Sequence, residues 1–154
     1  MQKIASFQIN HDTLEKGMYI SRIDGDVITY DIRMKKPNGG EYLDMNAAHT
    51  LEHLLATYLR SSEIGESVIY VGPMGCRTGF YVLLRDSVSF SRAIENVRAG
   101  MVFSRDFTGE IPGNKREECG NYLAHDLVGA KREAEEMCKV LENWQEKDLE
   151  YKGA

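Results

Sequence analysis

The chain has 154 residues, with 19 Lys and Arg against 24 Asp and Glu, a formal net charge of −5 and 42% hydrophobic residues. That length fits one domain, 1–154, able to bury roughly 70% of its unfolded surface without staples. The acidic balance leaves no electrostatic footprint for nucleic acid or an anionic membrane, and no apolar run approaches the ~18–20 residues that span a bilayer. The first residues lack the apolar stretch of a signal peptide. Three cysteines, an odd number with no CxxC pair, argue against a disulfide framework and fit a reducing compartment. The expected location is the cytoplasm.

Taken in chain order, residues 18–24 and 26–34 read as a hairpin turning at Asp24-Gly25, with Ile28, Tyr30, Ile32 and Met34 alternating against Val27, Thr29, Asp31 and Arg33. The alternation puts Arg33 on the polar face. Helical periodicity follows at about 46–60, with Asn46 as the expected N-cap. Ser67–Val71 and Phe80–Arg85 form a second strand pair, joined by a connection rich in glycine that carries Cys76 and Arg77. Two more helices are expected at about 89–103, with Phe90, Ile94, Val97 and Met101 on one face, and at about 126–147, with Ala134, Met137, Cys138, Leu141 and Trp144. The order ββαββαα, without regular βαβ alternation, predicts an α+β domain in which an antiparallel sheet is layered with helices.

The first long helix carries the most chemistry. At ~100° per residue, His49, Glu52, His53 and Ala56 share one face, while Leu51, Leu54, Leu55 and Tyr58 share the opposite one. Imidazoles at i and i+4 can hold one metal ion, and Glu52 between them points the same way as a proton carrier. This is the H-x-x-E-H pattern of inverted zincins, which random draws from this composition give in roughly 1 chain in 100. Between Asn46 and Tyr58, Glu52 is the only charged residue besides the histidines. Such a face suits a cleft better than open solvent.

A catalytic metal needs a third protein ligand and an open position. Cys119, flanked by Glu117 and Glu118 on one side and Gly120 on the other, suits a ligand better than a buried small hydrophobe. Cys138 lies on an apolar helical stripe and reads as core. Cys76, in a tight turn beside the cationic Arg77, has the setting of a reactive cysteine.

Together these motifs resemble one family, the S-ribosylhomocysteine lyases or LuxS enzymes. The carrying segments are Ser6-Phe7 with His11, Asp31-Ile32-Arg33, His49-Thr50-Leu51-Glu52-His53-Leu54-Leu55, Pro73-Met74-Gly75-Cys76-Arg77-Thr78-Gly79-Phe80-Tyr81, Glu118-Cys119-Gly120 and His125-Asp126-Leu127-Val128-Gly129-Ala130-Lys131. The resemblance implies a homodimer whose active sites lie at the interface and draw residues from both chains. It also implies a divalent metal, natively Fe(II) and replaceable by Zn or Co. It makes His49, His53 and Cys119 the metal ligands, Glu52 and Cys76 the acid/base pair, and Ser6, His11 and Arg33 substrate-binding residues. His125 is left without a role. Two positions depart from the family pattern: Gly72 stands where a serine precedes Pro-Met-Gly-Cys, and Tyr70 where an acidic residue is usual.

The implied reaction cleaves the thioether of S-ribosylhomocysteine to homocysteine and 4,5-dihydroxy-2,3-pentanedione, the precursor of autoinducer-2 signals. A carbon–sulfur bond breaks by β-elimination only once a carbonyl stands two carbons away, so the sugar carbonyl must first migrate by enediolate steps. That chemistry needs a Lewis acid and proton carriers on both sides of the carbon chain. The alternatives are an H-x-x-E-H zinc metallopeptidase, with Glu133 or Glu135 as third ligand and no use for Cys76 or Cys119, and a metal-binding domain without catalysis.

Overall fold

A computed structural model of the chain describes residues 1–152; Gly153 and Ala154, the end of the expected 1–154 domain, lie outside the described residues. After a short N-terminal turn of helix, α1 (Ala5–Gln8), the strands β1 (Gly17–Asp24) and β2 (Val27–Arg33) form the expected hairpin. Helix α2 (Met45–Ser61) follows, then the strands β3 (Val68–Pro73) and β4 (Gly79–Arg85), and finally α3 (Phe90–Asp106) and α4 (Leu127–Leu141). The four strands make one antiparallel sheet in the order β1-β2-β4-β3. The fold is α+β, and among the described residues no helix is long and apolar enough to cross a membrane.

The core lies between one face of the sheet and the three long helices. Tyr30, Ile32, Phe80, Val82 and Leu84 meet Leu51, Leu54, Leu55 and Leu59 of α2, Val97 and Met101 of α3, and Ala134, Met137 and Leu141 of α4. These are the residues that period 2 in the strands and period 3.6 in the helices place inward. Phe90 is the exception, because it begins α3 at the rim and stays exposed.

Three local expectations are corrected. Helix α2 is capped by Asp44, whose carboxylate accepts from the N–H groups of Asn46 and Ala47 at 3.1 Å each; Asn46 is already inside the first turn. Helix α4 stops at Leu141 instead of running to 147. Arg98 of α3 reaches across and donates to the carbonyls of Leu141 and Trp144, both at 2.9 Å, which satisfies carbonyls that a continuing helix would use. Trp144, past the helix end, donates instead to the Met18 carbonyl at 2.8 Å.

The third correction concerns Arg33. Its face of the sheet is polar, as the alternation requires, yet Arg33 is 2% exposed and Asp31 1%. The two side chains pair at 2.6 Å, and Tyr151 donates to the same Asp31 oxygen at 2.7 Å. Tyr151 stacks on Tyr19 with ring centroids 5.0 Å apart, so the C-terminal segment folds over this part of the sheet. Burial works against the guanidinium charge, but the Asp31 carboxylate and its hydrogen bond outweigh it and raise the Arg33 pKa.

A buried pair is costly to break because the survivor is an uncompensated charge. Arg33→Met is therefore expected to lower unfolding free energy by about 3–5 kcal/mol in urea titrations. Adding Asp31→Asn to it should restore part of that loss, since no buried charge then remains.

Candidate active site

The residues of the α2 face behave as the helical wheel requires. His49, Glu52, His53 and Ala56 are each half-buried, while Leu51, Leu54 and Leu55 are fully buried on the other side. The His49 and His53 rings stand 4.8 Å apart and nearly perpendicular, at 86°.

What covers this face is the irregular segment 107–126, which connects α3 to α4. A loop of this length inside a compact domain is usually functional. Its Pro112 carbonyl accepts from His53 Nδ1 at 2.8 Å and its Ala124 carbonyl from His49 Nδ1 at 2.7 Å. A carbonyl can only accept, so each Nδ1 carries the proton and each Nε2 presents a bare lone pair. Gly113 makes the first contact possible. It has a left-handed backbone, φ 70°, and a Cβ there would press against His53 Nδ1 at 3.2 Å.

The same segment brings in Cys119, held in a turn by its N–H bond to the Lys115 carbonyl at 3.0 Å. Its Sγ lies 3.4 Å from His49 Nε2 and 3.8 Å from His53 Nε2. Nitrogen and sulfur ligands on one tetrahedral ion, with bonds of ~2.05 and ~2.3 Å, stand about 3.6 Å apart. The observed separations bracket that value, so the donors fit a metal ion in both chemistry and spacing.

A fourth candidate is His125, to which the sequence reading gave no role. One ring nitrogen of His125 falls in a group with the His49, His53 and Cys119 donors, all within 4.8 Å of one another. The ring stacks on His49 with centroids 4.0 Å apart and planes at 19°. Burial, then the charges of His49 and His53, lower its pKa. The glutamates of the metallopeptidase alternative are not in this group. Glu133 is paired with Lys35 at 2.9 Å, and Glu135 is exposed.

Cys76 sits elsewhere, exposed in the turn between β3 and β4. Arg77 adopts a left-handed conformation, φ 62°, while donating its N–H to the Met74 carbonyl at 3.0 Å and accepting from Leu43 N–H at 2.8 Å. Thr78 Oγ1 accepts from Arg33 Nη1 at 2.8 Å and stands 3.1 Å from Cys76 Sγ. With the guanidinium donating to the oxygen, the hydroxyl proton is free to point at the sulfur. Ser6, His11, Arg33 and Cys76 all line one cleft of about 440 Å³. Glu52 and His53 line another, of about 380 Å³, together with Tyr70 and Pro112.

Tyr70 and Gly72, the two positions expected to depart from the family pattern, pack against each other. A Cβ on Gly72 would collide with the Tyr70 ring, which folds back over it. Cys138 is half-buried against the core, and desolvation raises its pKa.

Sequence reasoning missed Thr50, Thr78, Asp31 and Tyr151 as supports. Two of these had a local signal: Thr78, two residues from Cys76 in the same turn, and Asp31, two residues from Arg33 on the same strand face.

Residues 4–148 match the family model described as S-ribosylhomocysteinase (LuxS). The chain belongs to this family. Among curated relatives, it is 44% identical to the S-ribosylhomocysteine lyase of Desulfotalea psychrophila over 98% of this chain and 99% of the relative. It is 43% identical to that of Clostridium acetobutylicum and 42% identical to that of Borreliella afzelii, each with the same coverage. The LuxS match spans both clefts and the histidine helix, so it concerns the whole arrangement and no single motif.

Thr78→Val keeps the shape of the turn but removes the hydroxyl beside Cys76. A hydrogen bond to a charged acceptor contributes about 1.5–3 kcal/mol, so alkylation of Cys76 by iodoacetamide at neutral pH should slow roughly tenfold or more. Peptide mass spectrometry would follow it, with the slower alkylation of Cys138 as the unchanged reference.

Proposed function

We propose that the protein is an S-ribosylhomocysteine lyase that releases homocysteine and 4,5-dihydroxy-2,3-pentanedione. The observation that carries this reading is the convergence of three soft or borderline donors, His49 Nε2, His53 Nε2 and Cys119 Sγ, beside a free carboxylate, in a chain of the LuxS family. His49, His53 and Cys119 would hold a divalent ion, Fe(II) by family resemblance, with Zn or Co as substitutes that the same N and S donors accept. Bound there, the ion supplies Lewis-acid polarisation of the sugar's carbonyl and hydroxyl oxygens.

The chain's own groups move the protons. Glu52 is half-buried one residue before His53, and among the described residues its carboxylate makes no hydrogen bond or ion pair. It is free to take a proton from a carbon next to the carbonyl and to return it to the neighbouring one. Cys76, with the Thr78 hydroxyl turned toward its sulfur, serves the earlier transfers, and Glu52 the later ones. In the last, Glu52 takes the proton beside the migrated carbonyl, that C–H electron pair becomes the new C=C bond, the C–S pair goes onto sulfur, and homocysteine leaves as its thiolate, to which the protonated Glu52 returns the proton. Ser6, His11 and Arg33, which share the Cys76 cleft, hold the polar ends of the substrate.

A homodimer unites the two sets of groups. Within one chain they line separate clefts, and large apolar side chains stand exposed near each: Phe7 and Tyr42 by the Cys76 cleft, Met45, Leu123 and Val128 by the histidine cluster. Exposed apolar surface of this kind marks an interface. We place Cys76 of one chain opposite Glu52 and the metal ligands of its partner.

Mixing tests this directly. Cys76→Ala and Glu52→Gln should each be inactive alone in a thiol-release assay on S-ribosylhomocysteine. After subunit exchange, a heterodimer holds one site with both groups intact, so a statistical mixture should recover about a quarter of wild-type activity. A site built within one chain recovers none. Cys119→Ala should lose its metal on dialysis, as read by elemental analysis, whereas a peptidase that takes a glutamate as third ligand would keep it.

A further inference from the structure

His125 belongs to the donor cluster, and its tautomer can be deduced. Thr50, fully buried on α2, has two partners among the described residues. Its Oγ1 accepts the N–H of Asp126 at 2.9 Å and stands 2.9 Å from His125 Nδ1. A hydroxyl has one proton. The amide uses one lone pair of the oxygen, and among the described residues His125 Nδ1 is the only acceptor that the hydrogen bonds of Thr50 Oγ1 offer to its proton, which is buried and would otherwise go unpaired. Nδ1 is then the bare nitrogen, and the ring proton of neutral His125 resides on Nε2.

This is the reverse of its neighbours. His49 and His53 hold their protons on Nδ1 against backbone carbonyls and turn lone pairs inward. His125 turns an N–H inward. A protonated nitrogen cannot coordinate a metal, but it can donate a hydrogen bond, and His125 Nε2 is buried with no hydrogen-bond partner among the described residues. The stack on His49 fixes the plane in which that N–H points.

We propose that His125 is a hydrogen-bond donor to the substrate, not a fourth metal ligand. Its Nε2–H meets the sugar oxygen drawn to the position left by His49, His53 and Cys119, and it stabilises the negative charge that grows there as protons leave the adjacent carbons. Thr50 is the positioning residue, acting through the ring. The inference rests on the metal-dependent reading given above and adds a specific group to it.

The test uses the metal-loaded protein and reads more than turnover. In the zinc form, a long-range ¹H–¹⁵N correlation spectrum of the imidazoles should show the proton on Nδ1 of His49 and His53 and on Nε2 of His125. Thr50→Ser should keep that pattern, and Thr50→Val should lose it at His125 alone. His125→Phe retains the stack without a donor. It should still bind one metal per chain, with the visible absorption of the Co(II) form unchanged, while kcat falls on the order of 10²-fold, as when one oxyanion donor is removed. His125→Gln, which can donate from its amide, should recover part of the loss.

If His125→Phe loses metal as His49→Ala does, or if the His125 proton is found on Nδ1, the donor assignment is overturned while the metal site stands. If the wild-type chain takes up no metal, the proposed function fails first and this inference with it. The tautomer measurement on the wild type decides the matter even if the Phe variant does not fold.

Discussion

An imidazole can offer a metal either of its nitrogens, and what holds the other one decides which. On α2 the segment 107–126 makes that choice twice, through the Pro112 and Ala124 carbonyls. The same two hydrogen bonds anchor the segment. It has no helix or strand ladder of its own, and apart from short turns such as Cys119 N–H to the Lys115 carbonyl, the two histidines, together with Thr50 at the far end of the segment, are what tie it to α2. Cys119 lies between these anchors and so reaches the Nε2 atoms. Loop order and donor geometry are one property here, so an ion held by these donors would couple its binding to the folding of a segment without regular structure.

The Cys76 side depends on a different constraint, the register of β2 against β4. Arg33 pairs with Gly79, which puts its guanidinium beside Thr78, next in the chain. A slip of one residue would turn Arg33 to the helix-covered face. The ion pair with Asp31 is poor evidence for stability, because desolvation offsets most of its attraction. Its use is positional. It holds the guanidinium so that one N–H goes to Thr78, and the Thr78 proton is thereby left for the Cys76 sulfur.

The sequence disclosed what is local or periodic. Both hairpins, the three long helices and their apolar faces follow from spacing, and the His49–His53 pair is visible because i, i+4 neighbours meet on any helix. The polar stretch around Cys119 set it apart from a core cysteine, and the structure brings it beside His49 and His53. Less legible were features set by partners distant in the chain. The end of α4 depends on Arg98, 43 residues before Leu141. The burial of Arg33 depends on Tyr151 covering Asp31, 120 residues away. His125 lies 75 residues from Thr50, and no spacing rule links them. The cap at Asp44 is a smaller case: Asp44 and Asn46 are both competent caps, and backbone geometry chose between them.

The proposed reaction shifts protons between adjacent carbons, so its bases must lie on both sides of the carbon chain and its intermediates must be kept from bulk water. A single α+β layer has one sheet face free for such work, and in this chain that face carries the buried Asp31–Arg33 pair, with Arg33 and Tyr81 lining the Cys76 cleft beside it. The Glu52 carboxylate opens onto a separate surface cleft. In the proposed homodimer, closing one such surface against the other would supply bases from both sides and enclose the substrate at once, without a moving lid. It would also account for the division of supports: the helix-and-loop half fixes the His49 and His53 tautomers through backbone carbonyls, the hairpin half holds a thiol beside Arg33 and Thr78, and the hydrogen bonds that join α2 to β3, from Arg60 to the Val68 and Ile69 carbonyls, involve neither set. Each half is preorganised by its own scaffold, so in the proposed homodimer association would have only to bring together two finished surfaces, the condition under which interface geometry can reach catalytic precision.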